Sequence, residues 1–305
     1  EASVLKQKNV ELLHVVRRYG PVGGMERYAW ELTLQLQKMG HHVTVICERC
    51  HVEKPEGIRV QELGEVAPRP RWLAALRFDR RVVRWLADNP QPDTVIHSHE
   101  RISSHDITTF HSPPFATVFE KPWWKRISLR VAMQLFLERR ELCRARYIVP
   151  NSQFIKRQLT HYYPEMACKL TSPAIPGVLA DVQRVPRCVP GKGGVIGFVG
   201  KEWQRKGLPL AVAVVKQLRR TRPDLQFVVI GPAAGDVQHL FADWQGGYVL
   251  KGWSDKAHYA EFDVLLHPAK AEPYGMVISE AMAARVPVVI SSACGAAVHV
   301  SSAAG

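Results

Sequence analysis

At 305 residues, with 46% hydrophobic and 23% charged side chains, the chain is long enough for two globular domains and too ordinary in composition to be disordered or fibrous. No apolar run approaches the roughly 20 residues that cross a bilayer, and the opening EASVLKQKN lacks the apolar core of an export signal, so a cytoplasmic protein is expected. The net charge of +13 predicts anionic partners without predicting a fold.

The first apolar run, Glu11–Val16, reads as a strand, and the loop YGPVGGMERY from Tyr19 to Tyr28 follows it. Gly23 and Gly24 stand just before an amphipathic stretch, Gly24–Met39, where backbone can approach a phosphate at a helix N-terminus. A plain tight turn explains the same glycines. The dinucleotide pattern G-x-G-x-x-G is absent, which argues against a nicotinamide enzyme. Strands are predicted at His42–Cys47, Ile58–Leu63, Thr94–His99, Ile107–His111 and Tyr147–Pro150, with helices at Trp72–Ala87 and Trp123–Arg144. Cys47 and Cys50 form a C-x-x-C with no second pair, so we read a strand end and a loop thiol, in keeping with a reducing compartment.

His97 and His99 share one face of a strand, but no third ligand stands at a metal-site spacing, so no metal is expected there. His111 closes the next short strand, five residues after Asp106; a structural histidine is the plain alternative. The segment Lys121–Arg140 joins Trp123 and Trp124 to Lys125, Arg126 and an apolar stripe. Ten Lys and Arg fall within 121–157, opposed only by Glu138 and Glu141. Such a segment suits the surface of an anionic membrane, whereas a core-facing helix with a basic back is the competing description.

Ser172–Gly194 is rich in proline and glycine and lacks periodicity, which marks 173–194 as a linker between domains at 1–172 and 195–305. The second domain repeats the alternation, with strands at Val195–Gly200, Gln226–Gly231, Tyr248–Trp253, Val264–Pro268 and Pro287–Ser291 and helices at Leu208–Arg222 and Met276–Ala284. Alternation of this kind predicts an α/β protein of two parallel sheets, with ligands beyond the carboxyl ends of the strands and between the domains. No helix closes the second domain after its last strand, so further elements are expected beyond Gly305.

Two stretches of this domain point to a phosphorylated ligand. After Gly200, Lys201, Arg205 and Lys206 precede Gly207 at a helix start, and guanidinium beside ammonium suits a pyrophosphate. Glu272 and Glu280 flank Gly275, where a helix N-terminus at the end of a strand favours negative charge. Gly231, before Pro232, offers a place for a nucleobase or ribose to meet backbone. Solvated glutamates and an ordinary basic loop are the plain readings of the same residues.

Taken in order, Gly200, Arg205-Lys206-Gly207 and Glu272-x7-Glu280 resemble the retaining GT-B glycosyltransferases, in particular glycosyltransferase family 4, over nearly the whole chain. The resemblance implies two Rossmann-like domains facing across a cleft and hexosyl transfer from a nucleoside diphosphate sugar, with UDP as the nucleotide. It implies that Glu280 binds ribose, Lys206 with Arg205 the diphosphate, and Gly275, Met276 and Val277 offer backbone N–H groups. Glu272 and His111 would meet the transferred sugar, and the Gly23-Gly24 loop the donor phosphates. Tyr274 stands where the family's E-x-F-G has phenylalanine. The segment from Phe110 to Glu141 is similar to bacterial lipopolysaccharide-core sugar transferases, which implies a glycolipid acceptor and a peripheral place on the inner face of the cytoplasmic membrane. No metal cofactor is expected. The rival readings are an epimerase or phosphorylase of the same architecture, or a basic nucleic-acid-binding protein; no nucleic-acid-binding motif is present.

Overall fold

The computed structural model describes residues 9–178, 183–254 and 259–301. The chain divides into two compact units, one ending at Ala174 and the other beginning at Ile175.

The first unit contains β1 (Glu11–Val15), β2 (Arg18–Tyr19), α1 (Gly24–Lys38), β3 (His42–Cys47), β4 (Arg49–Cys50), β5 (Ile58–Glu62), α2 (Arg71–Asp88), β6 (Thr94–Ser98) and β7 (Ile107–Phe110). After them come α3 (Leu129–Arg144), β8 (Tyr147–Pro150) and α4 (Gln153–Tyr162). Its main sheet is parallel, in the order β5-β3-β1-β6-β7-β8. Period-2 alternation divides the core. Leu13 and Val15 of β1 pack with Phe78 and Val82 of α2, while Val43 and Val45 of β3 pack with Ala29 of α1.

The second unit contains β9 (Val195–Val199), α5 (Leu208–Leu218), β10 (Gln226–Ile230), α6 (Ala234–Val237), β11 (Tyr248–Gly252), β12 (Val264–His267), α7 (Met276–Ala283) and β13 (Val288–Ile290). This sheet is also parallel, in the order β11-β10-β9-β12-β13. Phe198, Phe227 and Val229 pack on α5, and Val228, Ile230 and Leu265 pack with Ile278 and Ala281 of α7. Both sheets start near their middle and reverse direction, so each has a point where successive loops diverge and leave room for a ligand. In unit 1 that point lies between β1 and β6; in unit 2 it lies between β9 and β12.

The expected helix from Trp123 does not form as one piece. Pro122 sets up a single 3-10 turn at Trp123–Lys125, and Ser128 then caps α3, accepting from the Val131 N–H at 3.2 Å. The tryptophans therefore lie outside the helix. The C-x-x-C is split as well: Cys47 is buried at the end of β3, and Cys50 pairs through β4 with β2. Burial pushes the Cys47 thiol up to about 12, so it is an unreactive core group.

Glu138 of α3 is fully buried. Its carboxylate accepts from the N–H groups of Phe115 and Ala116 at 2.5 and 3.1 Å, from the Tyr163 hydroxyl at 2.7 Å and from Arg101 at 2.9 Å. One side chain thus ties the 3-10 segment Phe115–Glu120 to α3 and to the residue after α4. Removing it would leave the Phe115, Ala116 and Tyr163 donors without this acceptor and Arg101 with only the longer contact to Glu141, at 3.9 Å, for its charge. Glu138→Ala should lower stability by about 3–5 kcal/mol in denaturant unfolding, whereas a loss below about 1 kcal/mol would show the network to be dispensable.

Candidate functional sites in the two units

In unit 2, the loop after β9 and the loop after β12 meet at the switch point. Gly207 has φ +82°, and its missing Cβ lets the Pro268 carbonyl press against it. The backbone of Arg205 accepts from the Lys270 N–H at 3.0 Å, which locks the two loops together. A parallel bridge to Cys294 holds the backbone of Glu272.

These constraints bring Arg205, Lys206 and Glu272 together. Lys206 Nζ donates to Glu272 Oε2 at 2.8 Å, and Arg205 NH1 lies 3.4 Å from the same oxygen while donating to the Ala271 carbonyl at 2.6 Å. His267, at the end of β12 and fully buried, places Nε2 3.5 Å from that oxygen, and neither of its ring nitrogens has a hydrogen-bond partner among the described residues. Burial pulls the His267 pKa below the ordinary histidine value despite Glu272 beside it. Burial alone would raise the Glu272 carboxyl. The His267 imidazole, Lys206 ammonium and Arg205 guanidinium outweigh it and hold the carboxyl at about 2. The two cations expected on a diphosphate are therefore already engaged by the carboxylate expected near a sugar.

Lys201 does not join this cluster; it is exposed, with Nζ 5.8 Å from the Trp253 ring centroid. Glu280, on α7, accepts from the Tyr259 hydroxyl. Gly275 caps α7 at φ +97°, so Met276 and Val277 lie in the first turn, where backbone N–H groups have no intrahelical acceptor. The Tyr274 hydroxyl, the departure from the E-x-F-G pattern, is hydrogen-bonded to Ser279 at 2.9 Å inside the core. Gly231 serves packing: a Cβ there would come within 2.6 Å of the Gly200 backbone.

In unit 1, Gly23 caps α1, and a Cβ on it would strike the Glu26 carboxylate, which pairs with Arg18; a Cβ on Gly24 would meet nothing within 4 Å. Asp106 acts in the sheet, accepting from the Ile96 N–H at 2.9 Å. The missing third histidine is His14, far away in sequence on β1, which brings ligand atoms of His14, His97 and His99 within 4.8 Å of one another. His99 Nδ1 lies 3.0 Å from His111 Nε2, and the Tyr28 ring stands edge-on to His111 at 4.9 Å. No spacing rule could have linked His14 or Tyr28 to this group. His267 carried a usable signal, a polar residue ending an apolar strand, as His111 does.

All of residues 121–130 are exposed, with Trp123 and Trp124 at 66% and 61%. The core-facing description therefore fails for the tryptophans, whose outward position follows from the turn that precedes the helix. Glu138 and Glu141, the acids of that segment, are both buried, so neither offsets its surface charge.

A depressed pKa contributes stability that is present above the ordinary value of 4.5 and is lost as pH falls toward the folded value. For Glu272 the gap corresponds to on the order of 3 kcal/mol. Glu272→Gln should be less stable than the parent by that order at neutral pH, with the difference closing between about pH 4.5 and about pH 2. A difference independent of pH in this window would mean that the ionised pair is not its source.

Comparisons with known proteins bear on both units. The model described as Glycosyltransferase Family 4 matches residues 22–172, and that described as Glycosyl transferases group 1 matches 193–303. A GDP-mannose-dependent alpha-mannosyltransferase of Mycolicibacterium smegmatis is 24% identical over 299 residues, 90% of this chain and 77% of that protein. Among solved structures, WaaG, a glycosyltransferase involved in lipopolysaccharide biosynthesis, aligns with TM-score 0.78 at 18% identity over 94% of this chain and 83% of that one. Sucrose-phosphate synthase from Thermosynechococcus elongatus aligns with TM-score 0.75 at 18% identity over 96% and 84%. At such identities these structures establish the GT-B fold alone, and the family models carry the chemistry: the chain belongs to the glycosyltransferases, with a family 4 unit followed by a group 1 unit.

Proposed function

We propose that this glycosyltransferase moves a hexosyl group, with retention at the anomeric carbon, from a nucleoside diphosphate sugar to a glycolipid or saccharide acceptor. The observation that carries the reading is the Arg205–Lys206–Glu272 cluster at the switch point of unit 2, next to the N-terminus of α7. Lys206 and Arg205 would take the diphosphate and stabilise the charge that develops on it as it leaves. Met276 and Val277 would add N–H groups, Glu280 would hold the ribose, and Glu272 and His111 would meet the sugar. Lys201, Gly23 and Gly24 would also serve the donor phosphates. Retention would follow from a front-face reaction in which the leaving phosphate takes up the acceptor's proton, with no metal ion. UDP is the nucleotide we favour. The mannosyltransferase relative makes GDP-mannose the competing donor.

Because Glu272 neutralises both cations, its removal should act oppositely on two ligands. By calorimetry, Lys206→Ala should weaken nucleoside diphosphate binding about ten-fold or more. Glu280→Gln should weaken the nucleotide with or without its sugar. Glu272→Gln should leave free nucleotide equally or more tightly bound while weakening the nucleotide sugar. Equal losses of free nucleotide in both glutamate variants would overturn the division of roles. A mass-detected screen of UDP- and GDP-hexoses in EDTA identifies the donor, and dependence on added magnesium or manganese would reject the metal-free mechanism.

The acceptor side rests on the exposed segment 121–130, where Trp123, Trp124, Ile127 and Leu129 stand among Lys121, Lys125, Arg126 and Arg130. Indole at an interface and basic groups on headgroups suit the inner face of the cytoplasmic membrane and a phosphorylated glycolipid such as lipopolysaccharide core. No helix among the described residues is long and apolar enough to cross a membrane. The protein should sediment with anionic vesicles and far less with neutral ones. Salt should weaken this binding, because each basic group contributes about 1 kcal/mol that is screened within a Debye length. A folded Trp123→Ala/Trp124→Ala variant should bind less even at low salt, and one that partitions like the parent would refute the membrane reading.

A further inference from the structure

Four histidines from three neighbouring strands converge at the switch point of unit 1: His14 in β1, His97 and His99 at the end of β6, and His111 just after β7. His14 and His99 are buried, and His111 is half-buried. His99 uses both of its ring nitrogens on other imidazoles. Its Nε2 lies 3.2 Å from His14 Nδ1, and its Nδ1 lies 3.0 Å from His111 Nε2. His97 stands aside from this chain, with its Nε2 2.7 Å from the Thr109 hydroxyl.

Burial first, and repulsion between the rings second, pull all four pKa values below the ordinary histidine value. At neutral pH each ring is therefore uncharged and carries one N–H. A hydrogen bond between two imidazoles needs one N–H and one lone pair, so the direction of the first bond sets the direction of the second. Only two arrangements exist. In one, His14 Nδ1–H donates to His99, His99 Nδ1–H donates to His111 Nε2, and His111 carries its proton on Nδ1. In the other every bond is reversed, His111 shows a bare Nδ1, and His14 must carry its proton on Nε2. His14 is 1% exposed, and among the described residues no hydrogen bond is made at its Nε2. Either arrangement leaves one N–H without a protein acceptor among the described residues, at His14 Nε2 or at His111 Nδ1. His14 is almost wholly buried and His111 only half-buried, so the N–H is better solvated at the His111 end, which selects the first arrangement.

We propose that His14 and His99 are positioning residues that lock His111 as the Nδ1–H tautomer, so that it meets an oxygen of the donor sugar as a hydrogen-bond donor and not as a base. The Asn151 side chain, donating to the His111 carbonyl at 3.3 Å, and the edge-on Tyr28 ring fix the orientation of that imidazole. Among the described residues His111 Nδ1 makes no hydrogen bond, so it is the open end of the chain. The choice of a sugar oxygen as its partner rests on the function proposed above; the tautomer does not.

Long-range proton–nitrogen NMR on the full chain labelled with 15N-histidine reads each tautomer directly, with the His111 signal assigned by its loss in His111→Gln. Without any ligand, His111 should carry its proton on Nδ1 and should not titrate between about pH 6 and 8. His14→Leu should turn that signal into a tautomer mixture and raise KM for the nucleotide sugar about ten-fold, as expected for losing one oriented hydrogen bond. His14→Asn, whose amide N–H can replace Nδ1–H, should restore both. A His111 protonated on Nε2 in the unmodified protein would overturn the lock whether or not any variant folds. Shifts of the His14, His97 and His99 lines on adding equimolar zinc chloride would make the cluster a metal site and overturn it equally. If the tautomer is as stated but His111→Ala binds the nucleotide sugar as tightly as the parent, the assignment of His111 to the sugar fails while the lock stands.

Discussion

A parallel sheet that begins at its middle strand and then reverses direction forces two successive loops apart at its carboxyl edge. This constraint operates twice in the chain, between β1 and β6 and between β9 and β12, and the groups discussed above gather at these two points. In unit 1 the reversal collects the histidines; in unit 2 it collects the cations and Glu272. The central strands β3, β9, β10 and β12 are mainly apolar and largely buried, so strand ends are where polar chemistry can be carried without an unpaired group in the core.

The two assemblies solve the problem of buried polarity differently. In unit 2 a carboxylate that burial alone would neutralise stays ionised because three nitrogen-bearing groups surround it. Lys206 lies within hydrogen-bond reach of it, so the ion pair keeps an ammonium oriented in the absence of a ligand. On the proposed function, an incoming diphosphate would compete with Glu272 for the same cations, which would couple phosphate binding to the position of the carboxylate. In the histidine cluster of unit 1 charge is avoided. Neutral imidazoles satisfy one another, and direction is supplied by the order of their bonds.

The basic segment of unit 1 depends on a third arrangement. Glu138 spends its acceptor capacity inside the fold, on backbone N–H groups, Tyr163 and Arg101, and Glu141 is buried there with the Thr108 hydroxyl on one oxygen. The lysines and arginines of 121–130 consequently face solvent without acidic neighbours from α3, beside two tryptophans held outside the helix by Pro122 and Ser128. An apolar and cationic surface results from where a helix starts, and a shift of that start by one turn would alter it.

The alternation of apolar runs with amphipathic ones determined the two parallel sheets, and glycines beside basic residues and paired glutamates marked Arg205, Lys206 and Glu272, because periodicity and loop chemistry are local properties of a chain. Helix ends were legible only in part: the indoles of Trp123 and Trp124 looked helical until Pro122 and Ser128 decided otherwise. The tertiary structure alone decided that Glu272 occupies Lys206, that Lys201 turns to Trp253, and that Gly231 answers to the backbone of Gly200. It also brought His14 to His99 across 85 residues. Strand order sets such contacts. It depends on which runs pair in the folded sheet, and the spacing of residues along the chain does not record that choice.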